Sequence, residues 1–295
     1  MRLVTFAATP GAAWRTGLRT PAGIVDLLVV HGASPVADWE PTPAAILGRG
    51  IDALPTLRAL AGRVAAVPGA ILDPATLTLG PSVVAPQKII AIGLNYRKHA
   101  AESGMPIPEY PIVFNKFNNA LAAHGETVTI PAVTAKADYE VELAVVIGKR
   151  ATAVPVEAAL DHVLGYSTAN DLSARDLQFR TAQWMLGKTL DGFLPLGPDL
   201  VTADEVPDPQ ALRLQTWLNG EQRQDSNTAD MVFDVATLVA YCSTYFTLEP
   251  GDVMITGTPA GVISGMQAPV WLKDGDVVVV EVEGLGKLET TLRGA

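Results

Sequence analysis

The sequence predicts a β-rich α+β fold, with a small N-terminal α/β domain over residues 1–85 and a larger, β-rich main domain over residues 86–295. Three observations carry this. Downstream of residue 85 the apolar residues fall mostly in short runs of strand length. The 26 glycines and 22 prolines are dispersed, which divides the chain into many short elements. Pro81–Gln87, with two prolines and polar flanks, separates two stretches of different character.

In the first stretch, Arg2–Phe6, Thr16–Arg19 and Ile24–Val30 read as short strands. Thr42 is placed to cap a helix starting near Pro43, and Ile51–Val67 carries apolar residues at helical spacing. In the second stretch, Lys88–Ile92 is a short apolar strand ended by Gly93, and Asn95–Ser103 is a turn running into a short helix. Pro106, Pro108 and Pro111 rule out regular structure after it, so a mobile lid could sit there. Tyr139–Ile147, Leu212–Leu218, Val253–Ile255 and Val277–Val282 are the clearest strands, with a shorter one at Val163–Tyr166. Asn219-Gly220 joins Leu212–Leu218 to Glu221–Gln224 as a hairpin. Pro155–Asp161 and Phe233–Phe246 read as helices. A sandwich, barrel or roll with a few helices accommodates this order.

Composition narrows the function. Hydrophobic residues make up 48% of the chain and charged ones 18%, so it is not a disordered polymer. A formal net charge of −10 repels phosphate backbones, which argues against a nucleic-acid partner. A bound dication can still reverse the local field for a small anion. The single cysteine, Cys242, cannot form an internal disulfide and reads as a packing residue. No apolar run is long enough to cross a bilayer, and Met1–Gly11 lacks the pattern of a signal peptide. A cytoplasmic protein is expected.

The segment Asp138–Gly148 carries chemistry. On a strand, residues i and i+2 share a face, so Glu140 and Glu142 project together while Tyr139, Val141 and Leu143 face the other way. Two neighbouring carboxylates repel unless water or a cation lies between them. A hard cation with oxygen ligands, Mg²⁺, Mn²⁺ or Ca²⁺, resolves that conflict in so apolar a run. On spacing alone, an edge strand showing two solvated glutamates to water explains the pair better. Gly165–Asp176 reads GYSTANDLSARD and offers Asp171 as a third carboxylate; equally, Asn170, Asp171 and Ser173 could cap a helix carrying Arg175 and Asp176. Lys188, in QWMLGKTLDGFLP, needs a partner in its apolar setting, unless it is a surface lysine in a turn. His99 and Glu102 are three apart, neighbours on a helix, where a carboxylate orients an imidazole and raises its basicity. A solvated pair on an exposed turn is the plainer account. Thr256-Gly257-Thr258-Pro259 follows a strand and presents hydroxyls and N–H groups.

Six pieces occur in order: IGLNYRKHAAE, DYEVELAVVIGK, GYSTANDLSARDLQ, MLGKTLDGFLPLGP, LNGEQRQ and ITGTPAGV. Together, from Ile89 to the C-terminus, they resemble the fumarylacetoacetate hydrolase family. The resemblance implies a mixed β-sandwich roll, usually a homodimer, often with a smaller N-terminal domain. It implies that Glu140, Glu142 and Asp171 bind the metal and that Lys188 stands near metal and substrate. His99 and Glu102 match a pair that activates water, and Thr258 matches a threonine that contacts substrate. Asn95, Tyr96, Arg175 and Gln178, in the same pieces, are expected substrate contacts. Leu190-Asp191-Gly192 departs from the Phe-Asp-Thr of many relatives. The expected activity is metal-dependent cleavage of a carbon–carbon bond in a small 2-oxo acid, hydrolysis of an acylpyruvate-type diketo acid first. Decarboxylation of oxaloacetate, isomerisation of a 2-hydroxyhepta-2,4-diene-1,7-dioate type and a non-catalytic binder follow in that order.

Overall fold

The computed structural model describes residues 1–295. The N-terminal stretch forms β1 (Arg2–Ala7), β2 (Arg15–Thr20), β3 (Gly23–Asp26), α1 (Leu27–Ala33), α2 (Pro43–Arg49), α3 (Leu54–Ala61), β4 (Ile71–Leu72) and β5 (Thr78–Leu79). The strand expected over Ile24–Val30 is half helix. The Asp26 side chain accepts hydrogen bonds from the Leu28 and Val29 N–H groups, so it ends β3 and caps α1. Thr42 caps α2 as expected, accepting from Ala45 N at 3.3 Å. The expected Ile51–Val67 helix is split into α3 and two flanking 3-10 turns.

The chain continues with β6 (Ile89–Gly93), α4 (Arg97–Glu102), β7 (Ile112–Lys116), β8 (Leu121–Ala122), β9 (Thr127–Ile130), β10 (Ala137–Asp138) and β11 (Val141–Ile147). Then come α5 (Val156–Ala159), β12 (Val163–Asn170), β13 (Ser173–Ala174), α6 (Arg175–Gln178), α7 (Met185–Lys188) and β14 (Leu194–Thr202). The remainder is β15 (Arg213–Leu218), β16 (Glu221–Asn227), α8 (Val235–Tyr245), β17 (Val253–Ile255), β18 (Val277–Val282) and β19 (Gly286–Gly294). Asn219 and Gly220, with φ of 52° and 84°, join β15 to β16, and Leu218 pairs with Glu221. Two left-handed residues suit the right-handed twist of a hairpin.

Twelve strands form one mixed sheet, whose main path runs β4-β3-β2-β1-β14-β12-β11-β17-β6-β7. A five-stranded sheet, β16-β15-β18-β19-β9, packs beside it. The pairings β6–β17, β8–β14 and β9–β19 are parallel and the rest antiparallel. This is the mixed, strand-rich roll expected from the sequence. Tyr139, Val141, Leu143, Val145 and Ile147 enter one core with Val278, Val280 and Val282 of the second sheet. Ala144 and Val146, on the opposite face, enter another with Leu3, Val25, Leu27 and Leu57. The strand β11 is buried on both faces, which explains its nearly continuous apolar run. The expected division after residue 85 falls between β5 and β6, while β1 pairs directly with β14 through Arg2↔Val201 and Leu3↔Leu200. No helix is long and apolar enough to cross a membrane.

Candidate active site

The site is built where β11 begins and β12 ends. These antiparallel neighbours pair Val141 with Asn170. Glu140 immediately precedes β11 and Asp171 immediately follows β12, so the pairing brings them together; Asp171 N donates to Glu140 O at 2.9 Å. Glu142 lies two residues along β11, on the face Glu140 shares. Ligand atoms of the three carboxylates lie within 4.8 Å of one another, and all three residues are buried. The solvated-edge account of Glu140 and Glu142 does not hold, and neither does the capping account of Asp171. α6 takes Ala174 as its N-cap residue, without a side-chain hydrogen bond. Asn170 Oδ1 instead accepts from Glu140 N at 3.1 Å, and Ser173 Oγ donates to Asp171 O at 2.9 Å.

Three cations surround the carboxylates. Lys188 Nζ lies 2.5 Å from Glu140 Oε2 and 2.7 Å from Asp171 Oδ2. Lys116 Nζ lies 2.5 Å from Asp171 Oδ1. Arg175 reaches Asp138 Oδ2 through Nε at 2.8 Å, Gln178 Oε1 through Nη1 at 2.9 Å, and Glu140 Oε1 through Nη2 at 2.7 Å. Burial raises the Glu140 carboxyl, but Arg175 and Lys188 outweigh it and hold the pKa at about 2. Burial pushes Glu142 well above the usual carboxylate range, and the charges of Asp171 and Glu140 push it further. Lys188 and one hydrogen bond from Gly257 N, at 2.6 Å, oppose that rise without cancelling it. The two lysines shift in opposite directions: burial lowers Lys116, while Asp171 and Glu140 overcome burial at Lys188 and raise it.

The cluster fits a hard divalent cation. Its donors are three convergent carboxylates, the set that Mg²⁺ and Mn²⁺ prefer. Glu142 lacks a direct cationic partner within the protein, and a dication would satisfy it.

The carboxylates line a cavity of about 320 Å³ shared with His99, Arg175, Gln178, Lys188 and Thr258. His99 Nδ1 lies 3.2 Å from Glu102 Oε2. Glu102 also accepts from Gly261 N at 2.9 Å, which ties α4 to the loop after β17. Gly265 leaves the space Glu102 occupies, since a Cβ there would stand 2.3 Å from Glu102 Cδ. Thr258 Oγ1 accepts from Gln224 Nε2 at 2.9 Å, and Gln224 also donates to Pro259 O at 2.8 Å. Its other end, Oε1, accepts from Val141 N at 3.0 Å. One amide thus fixes the Thr-Gly-Thr-Pro loop against the start of β11, which accounts for the LNGEQRQ piece.

Asn95 and Tyr96 do not line this cavity. Asn95 is fully buried; Nδ2 donates to Phe233 O and Thr256 O, and Oδ1 accepts from Phe233 N. All of its amide hydrogen bonds are spent on backbone, because it pins the turn before α4. Tyr96 is fully buried in the core, and its hydroxyl has no hydrogen-bond partner.

Lys116 and Asp138 were not anticipated. Asp138 precedes Glu140 by two residues, so the same alternation that marks the two glutamates points to it. It accepts from Ile263 N and Ser264 N as well as from Arg175. Lys116 lies on β7, where Ile112, Phe114 and Lys116 are less exposed than Val113 and Asn115. A lysine at the inward position of an alternating strand was the available signal.

The model of the fumarylacetoacetate hydrolase C-terminal family matches residues 88–293. The mitochondrial oxaloacetate tautomerase of Xenopus laevis is 41% identical over 292 residues, 98% of this chain and 89% of that protein. A fumarylacetoacetate hydrolase from Exiguobacterium antarcticum superimposes with a TM-score of 0.80 at 32% identity, with both chains covered in full. The maleylpyruvate hydrolase of Sphingobium sp. SYK-6, solved with manganese(II) ion and pyruvate, gives 0.80 at 30% identity, again over the full length of both.

Proposed function

Because the chain belongs to the fumarylacetoacetate hydrolase family, we propose that it is a divalent-metal-dependent enzyme that hydrolyses a carbon–carbon bond in an acylpyruvate-type diketo acid. One observation carries the reading: three buried carboxylates converge within 4.8 Å in a cavity also lined by His99, whose ring is paired with Glu102 behind it.

Glu140, Glu142 and Asp171 would hold the cation. When bound, it supplies the Lewis acidity that stabilises negative charge on the carboxylate and 2-oxo oxygens of a chelating substrate. Lys188 adds fixed positive charge beside the same oxygens. Glu102, held by Gly261 N, orients His99 through Nδ1. An Nδ1–H donated to Glu102 leaves Nε2 as the proton acceptor. His99 Nε2 then takes a proton from water as its oxygen adds to the distal carbonyl. The bond from that carbonyl carbon to C3 breaks, its electron pair goes to the pyruvate fragment, and the proton returns to C3. The products are a carboxylic acid and pyruvate.

A second reading has one specific support, the tautomerase relative that matches 98% of the chain. In neither reaction of oxaloacetate does water attack: tautomerisation moves a proton from C3 to the 2-oxo oxygen, and decarboxylation breaks the C3–C4 bond, releases CO2 and leaves C3 to take a proton. The Mn²⁺-loaded protein should be assayed against acylpyruvates, fumarylpyruvate and oxaloacetate, with chelated controls. Hydrolysis should vanish on chelation and fall by at least about 100-fold in His99→Ala, in line with the loss of a general base. Hydrolysis that survives complete metal removal overturns the reading. Activity on oxaloacetate alone, untouched by His99→Ala, favours the second.

The same proposal takes the enzyme as a homodimer. β7 is an unpaired edge of the large sheet, and Val113, Phe117 and nearby Tyr245 are exposed along it. Light scattering should give twice the monomer mass, and Val113→Lys should lower it.

A further inference from the structure

The cavity is acidic at its floor and apolar toward its mouth. Phe114 stands beside the floor, its ring centroid 5.5 Å from Lys188 Nζ. Trp184 packs edge-on to Phe114 with centroids 5.7 Å apart. The indole also lies against Gly93, where a Cβ would meet it at 2.2 Å, so the glycine makes room for the ring. Phe179 meets Trp184 edge-on at 6.5 Å and is exposed, as is Met105 across the opening. Three aromatic rings and a thioether thus line the path outward from the carboxylates, with the uncharged Ser103, Ser264 and Gln178 as polar members.

The cations are already committed. Only Arg175 and Lys188 carry cations into the lining, beside the His99 ring. Arg175 spends its guanidinium on Asp138, Gln178 and Glu140. Lys188 spans Glu140 and Asp171. His99 is tied to Glu102. A second carboxylate on the substrate would lose water among aromatic rings and find no free cation.

We infer that this site selects a 2-oxo acid whose distal end is apolar, an alkanoyl- or aroylpyruvate, over one that ends in a second carboxylate. The inference rests on the chelating role proposed above and names the substrate class for it. Phe114, Trp184, Phe179 and Met105 are then the residues that determine specificity. An alkyl or aryl tail gains from each ring it covers, whereas a carboxylate tail must be desolvated without compensation.

Binding separates this inference from the reading it rests on. Titration calorimetry of the Mn²⁺-loaded protein compares 2-oxohexanoate with 2-oxoadipate, which share six carbons and differ only in a terminal methyl against a terminal carboxylate. A turnover series runs beside it: acetylpyruvate, a longer alkanoylpyruvate, benzoylpyruvate, fumarylpyruvate and oxaloacetate. The apolar-tailed ligand should bind, and the apolar-tailed substrates turn over, at least about 100-fold better than those ending in a carboxylate. Met105→Arg, at the open rim, should recover about tenfold for 2-oxoadipate, the worth of one charge-assisted hydrogen bond. Apolar preference in binding with no turnover of any substrate upholds the selectivity and removes the hydrolytic reading. Equal or tighter binding of 2-oxoadipate by the unaltered protein overturns the selectivity, whatever the turnover series gives. Failure of both ligands to bind removes the selectivity and the chelating role together.

Discussion

Glu142 is the residue at which charge and burial conflict most openly. Its carboxyl is raised well above the usual range by burial, then by Asp171 and Glu140. The metal-free fold therefore binds a proton there more tightly than the unfolded chain does. The sign follows: this group favours the fold most at low pH, and that contribution is lost as pH rises through the raised value. A dication must displace the same proton, so the affinity for Mn²⁺ should climb with pH, by about tenfold per unit for each proton released. Titrations at pH 6, 7 and 8 check this, and a flat profile would show that Glu142 is already ionised without metal. Glu142→Gln should flatten the profile and weaken Mn²⁺ binding by at least about tenfold. Asn95 gives the contrasting case. Its amide makes three hydrogen bonds to buried backbone. Asn95→Ala should lower unfolding free energy by about 2–4 kcal/mol in urea titrations, with KM nearly unchanged. A raised KM at constant stability would restore it as a substrate contact.

At the scale of elements, the site is a junction of short pieces held by side chains rather than by ladders. The loop after β17 is tied to β11 through Gln224 and to α4 through Glu102 and Gly261 N. Gly265 gives the cleanest test. Its would-be Cβ meets the end of a flexible side chain, Glu102 Cδ at 2.3 Å, rather than backbone. Gly265→Ala should therefore move Glu102 away from His99 and lower kcat by about tenfold or more, with little change in Tm. Gly187 differs, since a Cβ there would stand 2.4 Å from Gln178 N and force α7 and Lys188 away from α6. These dependencies explain what was legible in the sequence. Glu140 and Glu142 follow from the alternation of one strand, and Asp171 from an adjacent strand end, so local periodicity reaches them. The partnership of His99 with Glu102 follows from helical spacing. For Lys116 the alternation of β7 gives only an inward direction, because its burial depends on β7 folding back along β6 and on α7 packing against it. Likewise, Ile24–Val30 looks uniformly apolar, and only the capping geometry of Asp26 divides it into strand and helix.

Across the whole molecule, the large sheet runs without a break from β4 to β7 and crosses the division expected at residue 85. The face of β11 opposite Tyr139 and Val141 packs Ala144 and Val146 into one core with Leu3, Leu27, Leu57 and Leu60. The N-terminal unit thus covers, farther along β11, the same face that carries Glu140 and Glu142 at its start. Its β1 also occupies the edge that β14 would otherwise leave open. Residues 1–85 can be a separate unit of sequence, in keeping with a family match that begins at residue 88, without being a separate unit of stability. The full chain should then unfold in a single transition, followed at once by far-ultraviolet circular dichroism and by Trp184 fluorescence in a variant retaining only that tryptophan. A fragment of residues 86–295 should aggregate or melt without cooperativity, because removing the N-terminal unit exposes an apolar sheet face and an unpaired edge together. Two separated transitions in the full chain, or a fragment that melts cooperatively and still binds Mn²⁺, would mean that the continuous sheet carries two independent folding units.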